Sequence, residues 1–219
     1  MAEIKAGIFD LDGVIVDTAI YHFQAWRQMA NELGFDFTEL QNENLKGVSR
    51  VRSLELILEW GGVTKTEAER AGLATRKNDW YVEMINRMTP DEILPGAKEF
   101  LITLKEAGYK TALGSASKNS GTILERVGLS SLFDVVIDGN SVTASKPNPE
   151  VFLKGAEALG VAPEACVVFE DAIAGVEAGK VGGMKVVGIG SPDILTNADL
   201  VVPGLHAMSL EKLKALNKK

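Results

Sequence analysis

Residues 4–18 read IKAGIFDLDGVIVDT, and this stretch decides the fold of the chain. The apolar run Ile4–Phe9 is short and ends at Asp10, which is the pattern of a buried strand that leads into a polar loop. Asp10 and Asp12 stand two positions apart, so in an extended chain their carboxylates point to the same side. Gly13 then lets the chain turn away, because it carries no Cβ. The stretch therefore predicts a strand that presents two carboxylates at its carboxyl end.

The segment after this strand has the pattern of helices. From Thr18 to Leu33, apolar side chains recur every three or four residues, which is the spacing of an amphipathic helix. A second helix is expected to end at Trp60. Thr64, with Glu67 three residues later, predicts a capping box at the start of a third. We therefore expect the whole segment to be helical.

Short apolar runs alternate with helical stretches in the rest of the chain. Strands are predicted at Lys110–Gly114, Val135–Asp138, Val167–Phe169, Lys185–Ile189 and Leu200–Val202. This alternation is typical of crossover units and of a parallel sheet covered on both faces. The predicted fold class is α/β, a doubly wound parallel sheet. Residues 1–16 and 89–219 would form the core domain, and residues 17–88 would form an inserted α-helical cap domain.

The composition argues against several classes of protein. The chain has 219 residues, and its 23 Lys and Arg against 30 Asp and Glu give a formal net charge of −7. An acidic balance disfavours nucleic acid as a partner, since that needs a basic footprint. The single cysteine cannot form an intramolecular disulfide, and the apolar runs are too short to span a membrane. A secretion signal needs a basic region followed by an apolar one, and the first ten residues do not have this pattern. We therefore expect a soluble, cytoplasmic, monomeric protein without a secretion signal.

Polar residues follow the predicted strands. The set comprises Asp10 and Asp12 after the first strand, Ser115, Ala116 and Ser117 after the second, Lys146 beyond the third, and Glu170 and Asp171 after the fourth. In a parallel sheet these positions share one edge, where ligands bind. Four carboxylates would repel one another there unless a cation compensates. Oxygen ligands suit a hard ion, and Mg²⁺ is the expected one.

The ordered motifs resemble those of the haloacid dehalogenase superfamily of phosphotransferases. FDLDGV at residues 9–14 is similar to its first motif, Ser115 to the second, Lys146 to the third, and Glu170-Asp171 to the fourth. The helical insertion after the first motif is similar to one cap class of that superfamily. The stretches FDLDGVIVDTAIYHFQAW, LKGVSR, SASKN and ASKP resemble its sugar-phosphate mutases in particular.

This resemblance implies a reaction and a set of roles. The reaction would interconvert β-glucose 1-phosphate and glucose 6-phosphate through an aspartyl-phosphate enzyme and β-glucose 1,6-bisphosphate. Asp10 would be the nucleophile and Asp12 the general acid and base. Mg²⁺ would be bound by Asp10, the backbone carbonyl of Asp12, Glu170 and Asp171, and Lys146 would balance the negative charge on Asp10.

A bisphosphate also needs a second phosphate site, which we expect in the cap. Arg50 is suited to it because a planar guanidinium matches phosphate with two hydrogen bonds. The remaining substrate contacts would come from Thr18, His22, Trp26, Lys46, Gly47, Val48, Ser49, Ser53 and Lys77 around the cap, and from Ser115, Ala116, Ser117, Asn119 and Lys146 in the core.

Structural alternatives stand beside these assignments. Lys46 and Arg50 could belong to a solvated basic loop, Trp26 to a hydrophobic core, and Asp171 and Asn119 to the caps of the helices that follow them.

The activity also has alternatives. A sugar-phosphate phosphatase would use the same residues with water as the acceptor, and a non-enzymatic phospho-receiver would use phospho-Asp10 only as a switch.

Overall fold

In the part of the chain that the structure describes, six parallel strands form one sheet. The structure, a computed structural model, describes residues 3–45 and 48–218. The strands are β1 (Ala6–Phe9), β2 (Lys110–Gly114), β3 (Val135–Ile137), β4 (Cys166–Glu170), β5 (Lys185–Ile189) and β6 (Leu200–Val202). They lie in the order β3-β2-β1-β4-β5-β6, and every neighbouring pair is parallel. The chain winds outward from β1 in one direction and from β4 in the other, so the predicted doubly wound α/β fold is confirmed.

Helices connect these strands and form the insertion. Between β1 and β2 lie α1 (Ala19–Glu32), α2 (Glu39–Glu43), α3 (Arg50–Trp60), α4 (Glu67–Ile85) and α5 (Ala97–Glu106). The later helices are α6 (Ser120–Arg126), α7 (Glu150–Leu159), α8 (Ile173–Val181) and α9 (Leu210–Ala215). Helix α5 returns the chain to the sheet, and α1 to α4 make up the helical insertion after the first strand. The domain boundaries stay a prediction.

The central strands are buried on both faces. On one face, the rings of Phe9 and Phe169 stack with centroids 4.4 Å apart, and α5 covers them with Phe100. On the other face, Ile8 packs with Phe152 of α7. Each such large apolar side chain stabilises the fold by roughly 1.5–3 kcal/mol when fully buried. This packing fixes the carboxyl ends of β1 and β4, where the polar residues lie.

The helical insertion has a hydrophobic core of its own. Trp26, Met29 and Phe37 pack with Leu54 and Ile57 in a cluster separate from the sheet. The end of α4 differs, because its buried side chains belong to the core beneath the sheet. Helix α4 therefore seats the insertion on the α/β core. None of the helices in the described part of the chain is both long and apolar enough to cross a membrane.

Two details of the sequence-based prediction are wrong. The capping box of α4 is formed by Thr66 and Glu69, two positions after the predicted Thr64 and Glu67. Both pairs have the same spacing, so the sequence pattern alone does not separate them. The sequence pattern also predicts no separate helix between Leu33 and Leu45, where the structure has the short helix α2, which Thr38 and Gln41 cap in the same reciprocal way.

Candidate functional site

Three carboxylates meet at the edge of the sheet where the winding direction changes. Asp10 follows β1, Glu170 ends β4, and Asp171 follows it; one oxygen of each lies within 4.8 Å of the others. Two glycines leave them room. Gly13 has a φ of 75°, and a Cβ on it would collide with the Asp171 carboxylate, whereas a Cβ on Gly175 would collide with that of Glu170. The local chain is therefore shaped around these side chains.

Lys146 joins two of the carboxylates in the interior. Its Nζ lies 2.6 Å from Asp10 Oδ1 and 2.7 Å from Glu170 Oε1, and its side chain is only 1% exposed. Burial alone would lower the pKa of Lys146, but the charges of Asp10 and Glu170 outweigh it and raise the pKa overall. Lys146 is therefore a permanent cation beside Asp10.

The acidic cluster fits a divalent cation. Its donors are all carboxylate oxygens, which are the ligands that hard ions prefer. Glu170 is held by both oxygens, because Oε1 accepts from Lys146 and Oε2 accepts from the backbone N–H of Ala172 at 2.8 Å. This fixed carboxylate and its two neighbours could hold the ion. The contribution of the Asp12 carbonyl stays a prediction.

Asp12 lies between the core and the helical insertion. The Thr18 hydroxyl donates a hydrogen bond to Asp12 Oδ1. Thr18 is the N-cap residue of α1, but because its hydroxyl is bonded to Asp12, its side chain does not cap the helix. Burial raises the pKa of Asp12 well above its usual range, and the charges of Asp10 and Asp171 raise it further. A raised pKa favours the protonated form of the carboxyl group, which is the form that a general acid needs.

A buried lysine faces Asp12 from the insertion. Lys77 of α4 has its Nζ 2.7 Å from His22 Nδ1, and 4.4 Å and 4.8 Å from the ring centroids of Trp26 and Tyr81. Burial, followed by the charge of Arg50, lowers the pKa of Lys77 to about 7, although Asp12 opposes the shift. Burial, with Lys77 and Arg50, also lowers the pKa of His22 well below its usual range.

Arg50 is the arginine that belongs to this group. It is the first residue of α3, and burial lowers its pKa. Arg52 instead pairs with Glu55 at 2.9 Å on the surface, and the Ser49 hydroxyl accepts from the Arg52 backbone N–H. We use the name cap cluster for His22, Arg50 and Lys77. Within the cap cluster, the guanidinium of Arg50 is the permanent positive charge that an anionic substrate would meet opposite Asp12.

The loop after β2 is organised by its own hydroxyls. Ser115 is buried, and its Oγ accepts from the backbone N–H of Ser117 at 3.1 Å. The Ser117 hydroxyl accepts in turn from the N–H of Asn119 at 3.2 Å. Asn119 is the N-cap of α6 without a side-chain bond to that helix; its amide donates to Asn78 of α4 at 3.2 Å. Asn119 thus links the loop to the insertion.

The other predicted residues lie around this site in different settings. Trp26 is 3% exposed and covers Lys77 from within the core of the insertion, and Ser53 is buried on α3. Val48 is partly exposed just before α3, and Ala116 is partly exposed in the loop after β2. Lys46 and Gly47 lie outside the described residues. The expected substrate contacts of all these residues stay predictions.

Tyr81 and Asn78 are two site residues that the sequence reasoning missed. Tyr81 follows Lys77 by four positions on α4, and its ring stacks on that of His22 with centroids 4.1 Å apart. Residues four apart share a helix face, so this spacing was a usable signal. Asn78 has no such signal, since its partner Asn119 is brought close only by the tertiary fold.

Comparisons with known proteins agree with this geometry. A family model for haloacid dehalogenase-like hydrolases matches residues 4–183. The chain is 44% identical to a β-phosphoglucomutase of Bacillus subtilis over 96% of this chain and 94% of the other. It is 32% identical to a phosphorylated carbohydrates phosphatase of Thermotoga maritima over 83% of each chain. A crystal structure of β-phosphoglucomutase from Clostridium difficile superimposes with a TM-score of 0.94, at 41% identity, over 98% of this chain and 97% of the other.

Proposed function

Because this chain belongs to the haloacid dehalogenase-like hydrolase family, we propose that it is a phosphotransferase with β-phosphoglucomutase activity. It interconverts β-glucose 1-phosphate and glucose 6-phosphate, with β-glucose 1,6-bisphosphate as the intermediate. The observation that carries this proposal is the opposition of Asp12 in the core and the cap cluster in the insertion. A phosphatase needs one phosphate site, whereas a bisphosphate intermediate needs cations at both ends.

The reaction consists of two balanced transfers. In the first, an oxygen of Asp10 attacks a phosphorus atom of the bisphosphate, the bond from phosphorus to the sugar oxygen breaks, and Asp12 gives its proton to that oxygen. In the second, the 6-hydroxyl of β-glucose 1-phosphate attacks the phosphorus on Asp10. Its proton passes to Asp12, and the bond from phosphorus to Asp10 breaks. Such proton transfer contributes about 10²–10⁴ in rate.

The structure offers each group a reason for its role. Lys146 lies 2.6 Å from Asp10 Oδ1, so it offsets the charge of the carboxylate that approaches an anionic phosphoryl group. Asp12 has a raised pKa, which suits the donation of a proton to the leaving oxygen. Ser115 and Ala116 stand in the loop that would bind the transferring phosphoryl group, and Arg50 stands in the insertion where the distal phosphate would lie.

Mg²⁺ is the cation that we propose for the acidic cluster. Asp10, the Asp12 carbonyl, Glu170 and Asp171 would hold it, and Lys146 and Ala172 fix the Glu170 carboxylate in place. A bound Mg²⁺ would shield the negative charge of the transferring group. Without a cation, the negative charges of these carboxylates would repel one another, so binding of the ion would be favourable.

A sugar-phosphate phosphatase is the second candidate function. The similarity to the Thermotoga maritima phosphatase favours it, since the same Asp10, Asp12, Lys146 and Asp171 would serve when water attacks the phospho-enzyme. The two functions differ in the acceptor. A mutase delivers the phosphoryl group to a sugar hydroxyl, and a phosphatase releases inorganic phosphate.

Product analysis by ³¹P NMR tests the proposal. Purified protein with MgCl₂ and β-glucose 1-phosphate, primed with β-glucose 1,6-bisphosphate, should form glucose 6-phosphate, and the primer should abolish a lag in its appearance. Inorganic phosphate should accumulate far more slowly. If phosphate release keeps pace with isomerisation or replaces it, the chain is a phosphatase with the same catalytic residues.

A further inference from the structure

A carboxylate of α7 binds the loop that carries Lys146. Residues 138–149 join β3 to α7, and Glu150 is the first residue of that helix. Its Oε2 accepts from the backbone N–H groups of Thr143 and Ala144, at 2.9 Å and 2.8 Å, and from the Thr143 hydroxyl at 3.0 Å. One oxygen atom therefore receives three hydrogen bonds from the segment that ends two positions before Lys146.

The two oxygens of Glu150 have separate partners. Oε1 lies 2.8 Å from Lys154 Nζ on the same helix, and the Glu150 side chain is only 20% exposed, so water competes little for Oε2. The hydrogen bond with Lys154, followed by those with the N–H groups of Ala144 and Thr143, lowers the pKa of Glu150 to about 2. Glu150 is therefore charged near neutral pH. Hydrogen bonds to an ionised acceptor are roughly twice as strong as those between neutral groups.

The position of the Lys146 ammonium depends on the position of its backbone, because a lysine side chain is flexible. Lys146 Nζ lies 2.6 Å from Asp10 and 2.7 Å from Glu170. It also lies 4.7 Å from the ring centroid of Phe152, with which α7 packs on the sheet. Helix α7 thus contacts the loop before Lys146, through Glu150, and the ammonium itself, through Phe152.

We propose that Glu150 is a positioning residue for Lys146. By binding Thr143 and Ala144 to the first turn of α7, it fixes the backbone from which Lys146 reaches Asp10. Without this carboxylate the loop would populate other conformations, and only the fraction of molecules with Lys146 in place would transfer a phosphoryl group. The inference rests on the role of Lys146 beside Asp10 in the proposed function, and it is the same for a sugar or a water acceptor.

Phosphorylation of Asp10 by acetyl phosphate tests this inference, because a mutase and a phosphatase share that step. Glu150→Ala removes the acceptor, so phospho-enzyme formation, followed by intact-protein mass spectrometry, should slow by about 10- to 100-fold. In the Lys146→Met background the same change should slow it no further. Glu150→Gln should recover most of the loss, since its amide oxygen can accept from the same N–H groups. Glu157→Ala, exposed on the same helix, is the matched control and should keep the wild-type rate.

The ammonium of Lys146 gives a second readout that does not depend on activity. It is buried and bonded to two carboxylates, so its protons should exchange slowly with water and give a ¹⁵N–¹H NMR signal. The absence of this signal in Lys146→Met identifies it. The signal should broaden or disappear in Glu150→Ala, and it should persist in Glu157→Ala.

Other outcomes overturn the proposal. An unchanged rate or an unchanged ammonium signal in Glu150→Ala would show that the loop places Lys146 without Glu150. An equal further loss in the Lys146→Met background, or a Glu150→Ala protein that is unfolded at room temperature, would make Glu150 a structural residue only. If the wild type forms no phospho-enzyme, the proposed function fails, and the ammonium signal still reports whether Glu150 positions Lys146.

Discussion

Lys146 Nζ and Asp10 Oδ1 lie 2.6 Å apart at the centre of this protein, where the lysine is 1% and the aspartate 10% exposed in their side chains. Burial of such an ion pair requires a large desolvation free energy. Removal of only one partner destabilises the fold strongly, because it leaves an uncompensated buried charge. Glu170 shares the same ammonium at 2.7 Å. The pair is therefore both a structural element and the setting in which Asp10 would act as nucleophile.

Removal of the Lys146 charge should affect stability and turnover together. Lys146→Met leaves two buried carboxylates without their cation, so the free energy of unfolding should fall by about 3–5 kcal/mol in urea titrations. Phosphoryl transfer should fall by at least about 10²-fold. Lys154→Met is the matched control, because Lys154 pairs with Glu150 at the surface, where water screens the two charges. Equal stability losses in the two variants would contradict the central role of Lys146.

Asp10→Asn should abolish the covalent route while the fold persists. The change is nearly isosteric, but an amide cannot serve as the nucleophile that the two transfers require. We expect a rate below about a hundredth of that of the wild type, and no phospho-enzyme by intact-protein mass spectrometry after incubation with acetyl phosphate. Asp193→Asn, at an exposed position, should retain full activity. A phosphorylated Asp10→Asn protein would place the phosphoryl group elsewhere.

Binding of Mg²⁺ should stabilise the fold through the acidic cluster. A ligand that binds only the native state at 100 times its Kd adds about 2.7 kcal/mol to the free energy of unfolding. MgCl₂ should therefore raise the melting temperature of the wild type, and EDTA should reverse the increase. Asp171→Asn should lose most of this response, whereas Glu177→Gln, on the exposed side of α8, should keep it. A full response in Asp171→Asn would move the ion to other ligands.

The sequence predicts the sheet and the polar edge well because both depend on local patterns. Each β-strand of the described chain matches an apolar run, and Asp10, Lys146 and Glu170 stand directly at the ends of such runs or in the loops that follow. The cap cluster is harder to predict. His22 and Lys77 are 55 positions apart, so only the packing of α1 against α4 brings their side chains within 2.7 Å. The choice of Arg50 over Arg52 likewise depends on helix rotation, which places Arg52 against Glu55.

Arg50 should matter only when the substrate carries a distal phosphate. Arg50→Ala should lower kcat/KM for β-glucose 1-phosphate roughly 30- to 150-fold. This factor corresponds to about 2–3 kcal/mol of lost transition-state stabilisation, the contribution of a charge-assisted hydrogen bond. Phosphorylation of Asp10 by acetyl phosphate, which has no second phosphate, should change little. Arg52→Ala removes a neighbouring arginine from the surface and serves as the control. Equal losses with both phosphoryl donors would show that Arg50 does not hold the distal group.

The environment of Lys77 should make stability depend on pH in an unusual direction. Lys77 is 2% exposed, and His22, Arg50, Asp12, Trp26 and Tyr81 surround it. Its pKa falls from an ordinary value of 10.5 to about 7. Between these two values the unfolded chain keeps the proton that the native protein has released. The unfolded state then binds more protons, so the free energy of unfolding rises with pH in this window.

Urea unfolding measured between pH 7 and 9.5 checks this prediction. The wild type should gain up to about 1.4 kcal/mol per pH unit relative to Lys77→Met, which has no group to titrate there. The difference should level off below pH 7, where Lys77 is protonated in both states. His22 does not contribute to this window, because burial lowers its pKa well below its usual range. The exposed Lys118→Met variant should follow the wild type. Parallel curves for the wild type and Lys77→Met would mean that Lys77 stays charged in the native protein. The effect of Asp12, which raises the pKa of Lys77, would then outweigh the effects of burial and Arg50, which lower it.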